Sequence, residues 1–279
     1  MLNDGSGAAE AARSDTSRPS STCRLCGRDR RLVKAHAIPE AFFRVFRAGG
    51  ENPLLVSNIP DAFPRRAPIG VYDDGILCEE CERTFGEVDD YGIRVLLTEF
   101  DELFQPVVDD SGRTVGFQSR DIDQELLLRF LVATLWRASV STRGFYSGVR
   151  LGAYESQVAG ITEVARPVPS VFAAALSVWT PVDTSRRLVH PVLDPRRERW
   201  NGVNAYRVYF GRVVAYVKVD SRPFPSPHRE VALCQQDHLY VINRDFPTSK
   251  DFSAMAKTAK TSFRRQQIAR ARRMPKGRY

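Results

Sequence analysis

Cys23-Arg24-Leu25-Cys26-Gly27 and Cys78-Glu79-Glu80-Cys81-Glu82 hold four of the five cysteines in this 279-residue chain. Two thiolates separated by two residues can turn toward one cation, and a second such pair completes the tetrahedral sulfur shell that zinc prefers; an iron site has the same shape. Cys23, Cys26, Cys78 and Cys81 are therefore the expected ligands of one structural zinc ion. Gly27 permits the tight turn of a zinc knuckle. The second pair runs into a polar segment with Phe85, Val88 and Val95 at helical spacing and acids Glu87, Asp89 and Asp90 in its early turns, which predicts one helix over 78–100. A knuckle followed by a pair at a helix start is treble-clef order. A zinc ribbon would place its second pair on another hairpin turn, so the helix after Cys81 decides between them.

Between the pairs, Leu32-Val33-Lys34-Ala35-His36-Ala37-Ile38-Pro39 reads as a short apolar strand that delivers a histidine and then a proline. The order Cys-x-x-Cys, His-x-Ile-Pro, Ile-Leu-Cys-x-x-Cys resembles the zinc-containing branch of the HNH, or ββα-metal, endonucleases. The resemblance implies a histidine general base, an acidic residue just before it that holds a catalytic divalent metal, and an asparagine or histidine just after the last cysteine as a further ligand. Carried over by position, His36 matches the base and Glu82 stands at the second ligand position, while Ala35 occupies the place of the first ligand. Asp73 and Asp74 fall where the middle asparagine of the motif would lie. Catalytic magnesium or manganese is implied in the same way. Farther on, 126–136, Phe145-Tyr146 and Val149-Arg150-Leu151-Gly152 resemble the region downstream of the zinc module in bacterial HNH-like proteins, whose function is mostly unassigned; the likeness spans roughly residues 23–162.

The zinc module is too small to account for the chain, which is long enough for a sizeable core in one or two domains. Hydrophobic residues at 43% and charged residues at 27% place it among ordinary globular proteins. No apolar run approaches the roughly 18 residues needed to span a bilayer, so no membrane partner is expected. Residues 1–22, rich in Ala, Ser, Gly and Asp, lack the apolar core of a signal peptide and read as a disordered leader. Cysteines in ligand spacing point to a reducing compartment and a cytoplasmic protein. Cys234, in Val231-Ala232-Leu233-Cys234, reads as a small buried hydrophobe in a short strand.

After His36, residues 39–46 predict a short helix ended by Gly49-Gly50, and 51–70 read as an aperiodic insertion between the hairpin strands. The zinc module is thus assigned to 23–105. An α+β domain follows over 106–246. It opens with a hairpin over 106–117 around an Asp/Ser/Gly turn; next comes a central helix, apolar on nearly every face over 126–136 and ended by Arg137 and Ser139-Val140-Ser141, and then a second helix over 152–162. Period-two strands over 170–182, 205–210, 212–220, 230–234 and 238–242 predict an antiparallel sheet against the central helix. His190, His228 and His238 have no partner at ligand spacing and read as ordinary histidines.

The charge is unevenly placed. Residues 250–279 carry ten Lys/Arg against the single acid Asp251, whereas the rest of the chain carries 31 against 32. Thr248 and Asp251 have capping-box form, and Phe252, Met255, Ala259 and Phe263 share a helix face, so the 247–279 tail is expected to dock by that stripe. Arg264, Arg265, Arg270, Arg272 and Arg273 would then be presented to nucleic-acid phosphates. Two function classes follow: a metal-dependent HNH-type endonuclease acting on DNA or RNA, with His36 as base and Glu82, Asp73 or Asp74 holding the metal, or a zinc-stabilised module that binds nucleic acid or a protein partner.

Overall fold

The computed structural model describes residues 22–44, 54–56, 65–158, 160–163, 165–180, 192–224, 226, 228–245, 248–249, 252–253, 256–257 and 260–261. Residues 1–21 of the leader and the five tail arginines lie outside them. The N-terminal part runs β1 (Leu32–His36), α1 (Ala41–Arg44), β2 (Leu54–Val56), β3 (Arg65–Arg66), β4 (Tyr72–Cys78), α2 (Glu79–Arg83), α3 (Gly86–Ile93), a π-helical turn (Arg94–Thr98) and α4 (Phe100–Leu103). It continues as β5 (Gln105–Val108), β6 (Thr114–Ser119), α5 (Gln124–Val140), β7 (Phe172–Thr180), β8 (Val192–Leu193), β9 (Arg196–Trp200), β10 (Val203–Phe210), β11 (Val213–Val219) and β12 (Leu239–Asp245). This is an α+β fold.

The N-terminal part is organised by β1 and β4, which pair antiparallel with Leu32 opposite Cys78 and His36 opposite Tyr72. Instead of one helix over 78–100, the chain forms three helices and a π-helical turn. Thr84 closes α2 by donating its hydroxyl to the Cys81 carbonyl at 2.8 Å, and the break turns Phe85 inward, where it is 1% exposed and stacks on Trp136 with centroids 6.0 Å apart. The 51–70 insertion also has structure: β2 pairs with β3 and, in parallel, with β8 from far along the chain.

Helix α5 is the central element expected, and its whole length from Leu127 to Val140 is buried. Asp123 caps its start by accepting from the Leu126 N–H at 2.9 Å. Arg137 does not end the helix but sits within it, fully buried. The helix expected over 152–162 is replaced by two short 3-10 turns (Gly152–Tyr154 and Ser156–Val158). Beyond these turns Arg129, 1% exposed on α5, donates from its guanidinium to the carbonyls of Ile161, Glu163 and Arg166 at 2.8, 3.0 and 2.6 Å. The buried cation thus ties the segment that follows the turns to the central helix.

The large sheet has seven strands in the order β5-β6-β12-β7-β11-β10-β9, and it is mixed rather than antiparallel because β12 runs parallel to β7. The segment 230–234 forms no strand; Ala232 makes only a bridge to Ala175. Cys234 is exposed with φ of 63°, a turn residue rather than a buried strand hydrophobe. One hydrophobic cluster continues from Cys23 through α3 and α5 to Val241, with the inner face of the sheet against α5. At the start of the tail, Thr248 is drawn to Asp245 at 2.6 Å, and it is the Ser249 hydroxyl that accepts from the Phe252 N–H at 3.0 Å. Phe252 is 42% exposed, and Met255, Ala259 and Phe263, the rest of the expected stripe, lie outside the described residues.

Candidate metal centre and its polar neighbours

The four cysteines come together. One sulfur from each of Cys23, Cys26, Cys78 and Cys81 lies within 4.8 Å of the others. A zinc–sulfur bond of about 2.3 Å implies sulfurs roughly 3.8 Å apart around a tetrahedral ion, so the set fits a metal such as zinc. Local bonding explains the arrangement. Gly27 takes φ of 69° and its N–H donates to the Cys23 carbonyl at 2.9 Å, closing the knuckle, while the Arg24 N–H reaches the Ile76 carbonyl at 2.8 Å and ties it to β4. Cys78 ends β4 and Cys81 lies in the first turn of α2, so the helix expected after the second pair is present.

The sulfurs also differ in environment. Burial opposes the thiolate of Cys23, but backbone N–H groups of Cys26, Cys78 and Leu25 converge on it and bring its pKa down to about 7. One of these contacts is the Cys78 N–H at 3.4 Å from the Cys23 sulfur. Burial and the neighbouring sulfurs push the Cys81 thiol up. Among the described residues, no other group of three or more His, Cys, Asp and Glu side chains is gathered in this way.

Beside the sulfurs lie the residues that the HNH-like pattern singles out. The Nε2 of His36 is 2.9 Å from the Ile69 carbonyl, so that nitrogen carries the proton and donates. Burial lowers the pKa of the ring, keeping it neutral at pH 7 with the Nδ1 lone pair available. Glu82 converges on the same strand through the His36 backbone N–H. Burial pushes its carboxyl up to about 6, with the Arg137 guanidinium opposing and Asp89 adding to the rise. The Glu82 Oε2 is buried with no hydrogen-bond partner.

Comparison with family models, curated proteins and solved structures finds no match. The remaining two acids are engaged elsewhere. Asp73 pairs with Ala35 and His36 with Tyr72, so consecutive residues send the Asp73 and His36 side chains to opposite faces of the hairpin. Asp73 is 2% exposed, and its carboxylate accepts from the Thr142 N–H at 2.6 Å, the Ser141 hydroxyl at 2.8 Å and the Gly75 N–H at 2.9 Å. It fastens β4 to the end of α5. Asp74 is exposed and pairs with Arg143.

The sequence did not reveal two partners of this cluster. Arg137, 0% exposed, makes a bidentate pair with Asp89 at 2.6 and 2.5 Å and lies 4.7 Å over the Phe85 ring. An arginine inside an otherwise apolar helix was the available signal, since a buried guanidinium needs a carboxylate.

Burial raises the pKa of Asp73, but the hydrogen bonds from Ser141, Gly75 and Thr142 outweigh it and leave the folded-state value below the ordinary one. Its contribution to stability is therefore fully present above the unfolded value of about 3.9 and is lost as pH falls through the lower folded value. Asp73→Ala is expected to cost about 2–3 kcal/mol at pH 7 and progressively less as pH falls below about 3.9. Urea unfolding across that pH range measures this, and a loss that stays constant down to acid unfolding would contradict the assignment.

Proposed function

We propose that this is a nucleic-acid-binding protein whose treble-clef module is held by zinc and whose zinc-bearing end meets the phosphate backbone. The observation that carries the reading is the row of exposed cations on the knuckle and first strand. Arg24, Arg28, Arg31 and Lys34 are all exposed, and none has a carboxylate partner among the described residues, whereas Arg30 pairs with Glu80. Four such cations within eleven residues can each neutralise a phosphate and release counterions. The tail, with ten basic side chains against one acid, adds to the same interaction.

The test is a salt series with duplex DNA and RNA. Replacing Arg24, Arg28, Arg31 and Lys34 together by Gln should weaken binding and reduce the slope of log affinity against log salt by about 0.7–0.9 for each phosphate no longer neutralised. Truncation from Arg264 onward should act in the same direction. Unchanged affinity and slope in both proteins would refute the reading.

A second reading, the HNH-type nuclease, draws support from the His36 ring. Its Nε2 proton is held by a backbone carbonyl, which aims Nδ1 as a base, and Glu82 lies against the same strand. Ala35 and the engagement of Asp73 favour binding without cleavage. Magnesium- or manganese-dependent cleavage of plasmid or RNA that disappears in His36→Ala, with zinc content and affinity retained, would establish the nuclease instead.

A further inference from the structure

The seven-stranded sheet ends in β5 on one side and β9 on the other. An edge strand presents unpaired N–H and C=O groups that another extended chain can complete, so proteins blunt their edges. On β5, Pro106 has no N–H to offer, and the register slips between Val107 and Val108. Strand β9, Arg196-Arg197-Glu198-Arg199-Trp200, has neither proline nor bulge. It pairs with β10 without a break, from Arg196 opposite Arg207 to Trp200 opposite Val203, and among the described residues no strand pairs beyond it.

The hairpin fixes which of its main-chain groups face outward. Asn201 and Gly202, with φ of 45° and 92°, form the two-residue turn in which both central residues take positive φ. Such a turn is closed by a hydrogen-bonded pair, here Trp200 and Val203. Bonded and unbonded pairs alternate along an antiparallel ladder, so Arg199 and Arg197 fall at unbonded positions and turn their N–H and C=O groups to the open edge. Asn204, opposite Arg199, has the matching orientation: its N–H donates at 2.9 Å to the carboxylate of Asp220, which follows β11 on the far side of β10.

The side chains at these two positions are cations. Alternation puts Arg197 and Arg199 on one face of the strand; both are exposed, and neither has a carboxylate partner among the described residues. Glu198, the acid between them, points to the opposite face and is taken by Arg207 at 2.6 Å. Tyr206, opposite Arg197, accepts from the Arg150 N–H at 2.9 Å and donates to the Arg150 carbonyl at 2.7 Å. This brings to the same side a third exposed arginine without a carboxylate partner among the described residues.

We infer that β9 is a docking edge for an extended acidic segment of a partner protein. The segment adds to the sheet as a further antiparallel strand, with Asp or Glu at the alternate positions opposite Arg197 and Arg199. Each acidic residue exchanges two main-chain hydrogen bonds with its arginine and sets its carboxylate beside the guanidinium, the opposite-charge cross-strand pair that stabilises a ladder. A second copy of β9 does not fit, because antiparallel pairing would set arginine against arginine. A phosphate backbone fits less well than a peptide, since it can accept from the two N–H groups but gives nothing to the carbonyls beside them. The edge shares no residue with the zinc end, so this inference does not rest on the function proposed above.

Fluorescence anisotropy of the full-length protein with short labelled peptides tests this. One peptide alternates glutamate with valine, a second alternates lysine with valine, and a third repeats the first with its central glutamates N-methylated. The glutamate peptide should bind about tenfold or more tighter than either of the others, because lysine reverses the charge and N-methylation keeps the charge but removes the ladder donors. Arg197→Glu with Arg199→Glu should weaken the glutamate peptide about tenfold or more and let the lysine peptide bind, while the melting temperature stays unchanged because both side chains are exposed. Equal binding of the N-methylated peptide would reveal a general anion surface and overturn the inference. Duplex DNA that binds the zinc-end Gln variant as tightly as the glutamate peptide does, and is released by the same charge reversal, would assign the edge to phosphate and also overturn it. Absence of peptide binding overturns it too; if Arg197→Thr with Arg199→Thr then makes the protein self-associate, the arginines only guard the edge. The Gln variant of the zinc end should retain peptide binding, which separates the two proposals.

Discussion

Purified protein should carry one zinc per chain, and Cys26→Ser should lose it along with about 4–5 kcal/mol of stability. Cys26 is the informative ligand because it is exposed, whereas Cys23, Cys78 and Cys81 are buried at 1%, 2% and 8% exposure. Changing a buried cysteine would disturb packing as well as the metal. At an exposed position the oxygen-for-sulfur exchange costs almost nothing by itself, so any large loss must pass through the metal. Structural zinc supplies folding free energy directly, and the unfolded chain has no preformed site. Here the ion would join three pieces of chain: the knuckle, the end of β4 and the first turn of α2. Cys234→Ser, at an exposed turn, should change stability by less than about 0.5 kcal/mol and serves as the control. Elemental analysis and urea unfolding decide the matter. Absence of metal together with an unaltered midpoint for Cys26→Ser would remove the zinc assignment.

What can be read in the sequence depends on how local the signal is. The cysteine pairs are legible because ligand spacing is a covalent constraint, and α5 is legible because a run of apolar residues can only be buried. Strands β7, β10 and β11 follow from alternation, but their neighbours do not. The parallel placement of β12 beside β7 is set by a crossover that no residue announces. The segment after α5 reads as a helix because its residues tolerate one, and the buried Arg129 that gathers the carbonyls at its far end belongs to another element. The same holds for the acids. Asp73 looks like a metal ligand by position, and only the register with Ala35 and the donors at 141–142 give it a different partner.

Arg137→Met should destabilise the protein by about 3–5 kcal/mol, the largest effect expected away from the cysteines. Arg137 is 0% exposed on α5, and Asp89 on α3 meets both of its terminal nitrogens. Removing the cation leaves the Asp89 carboxylate without its partner and removes the charge that opposes the rise in the Glu82 pKa. Asp89→Asn should cost less, about 2–3 kcal/mol, because Asn still accepts one hydrogen bond and that side chain keeps 18% of its surface in water. The double variant Arg137→Met with Asp89→Leu should be less destabilised than the sum of Arg137→Met and Asp89→Leu measured singly by about 2 kcal/mol or more, since neither charge is then left uncompensated. Arg137→Lys should not rescue, because an ammonium cannot make the forked contact or lie flat over Phe85. This pair bridges the helix that follows the metal centre and the helix beneath the sheet. Its loss should therefore also weaken the near-ultraviolet circular dichroism of Trp136, which stacks on Phe85 at 6.0 Å. Additivity of the two substitutions within about 0.5 kcal/mol would show that the charges are not coupled and that each is stabilised independently.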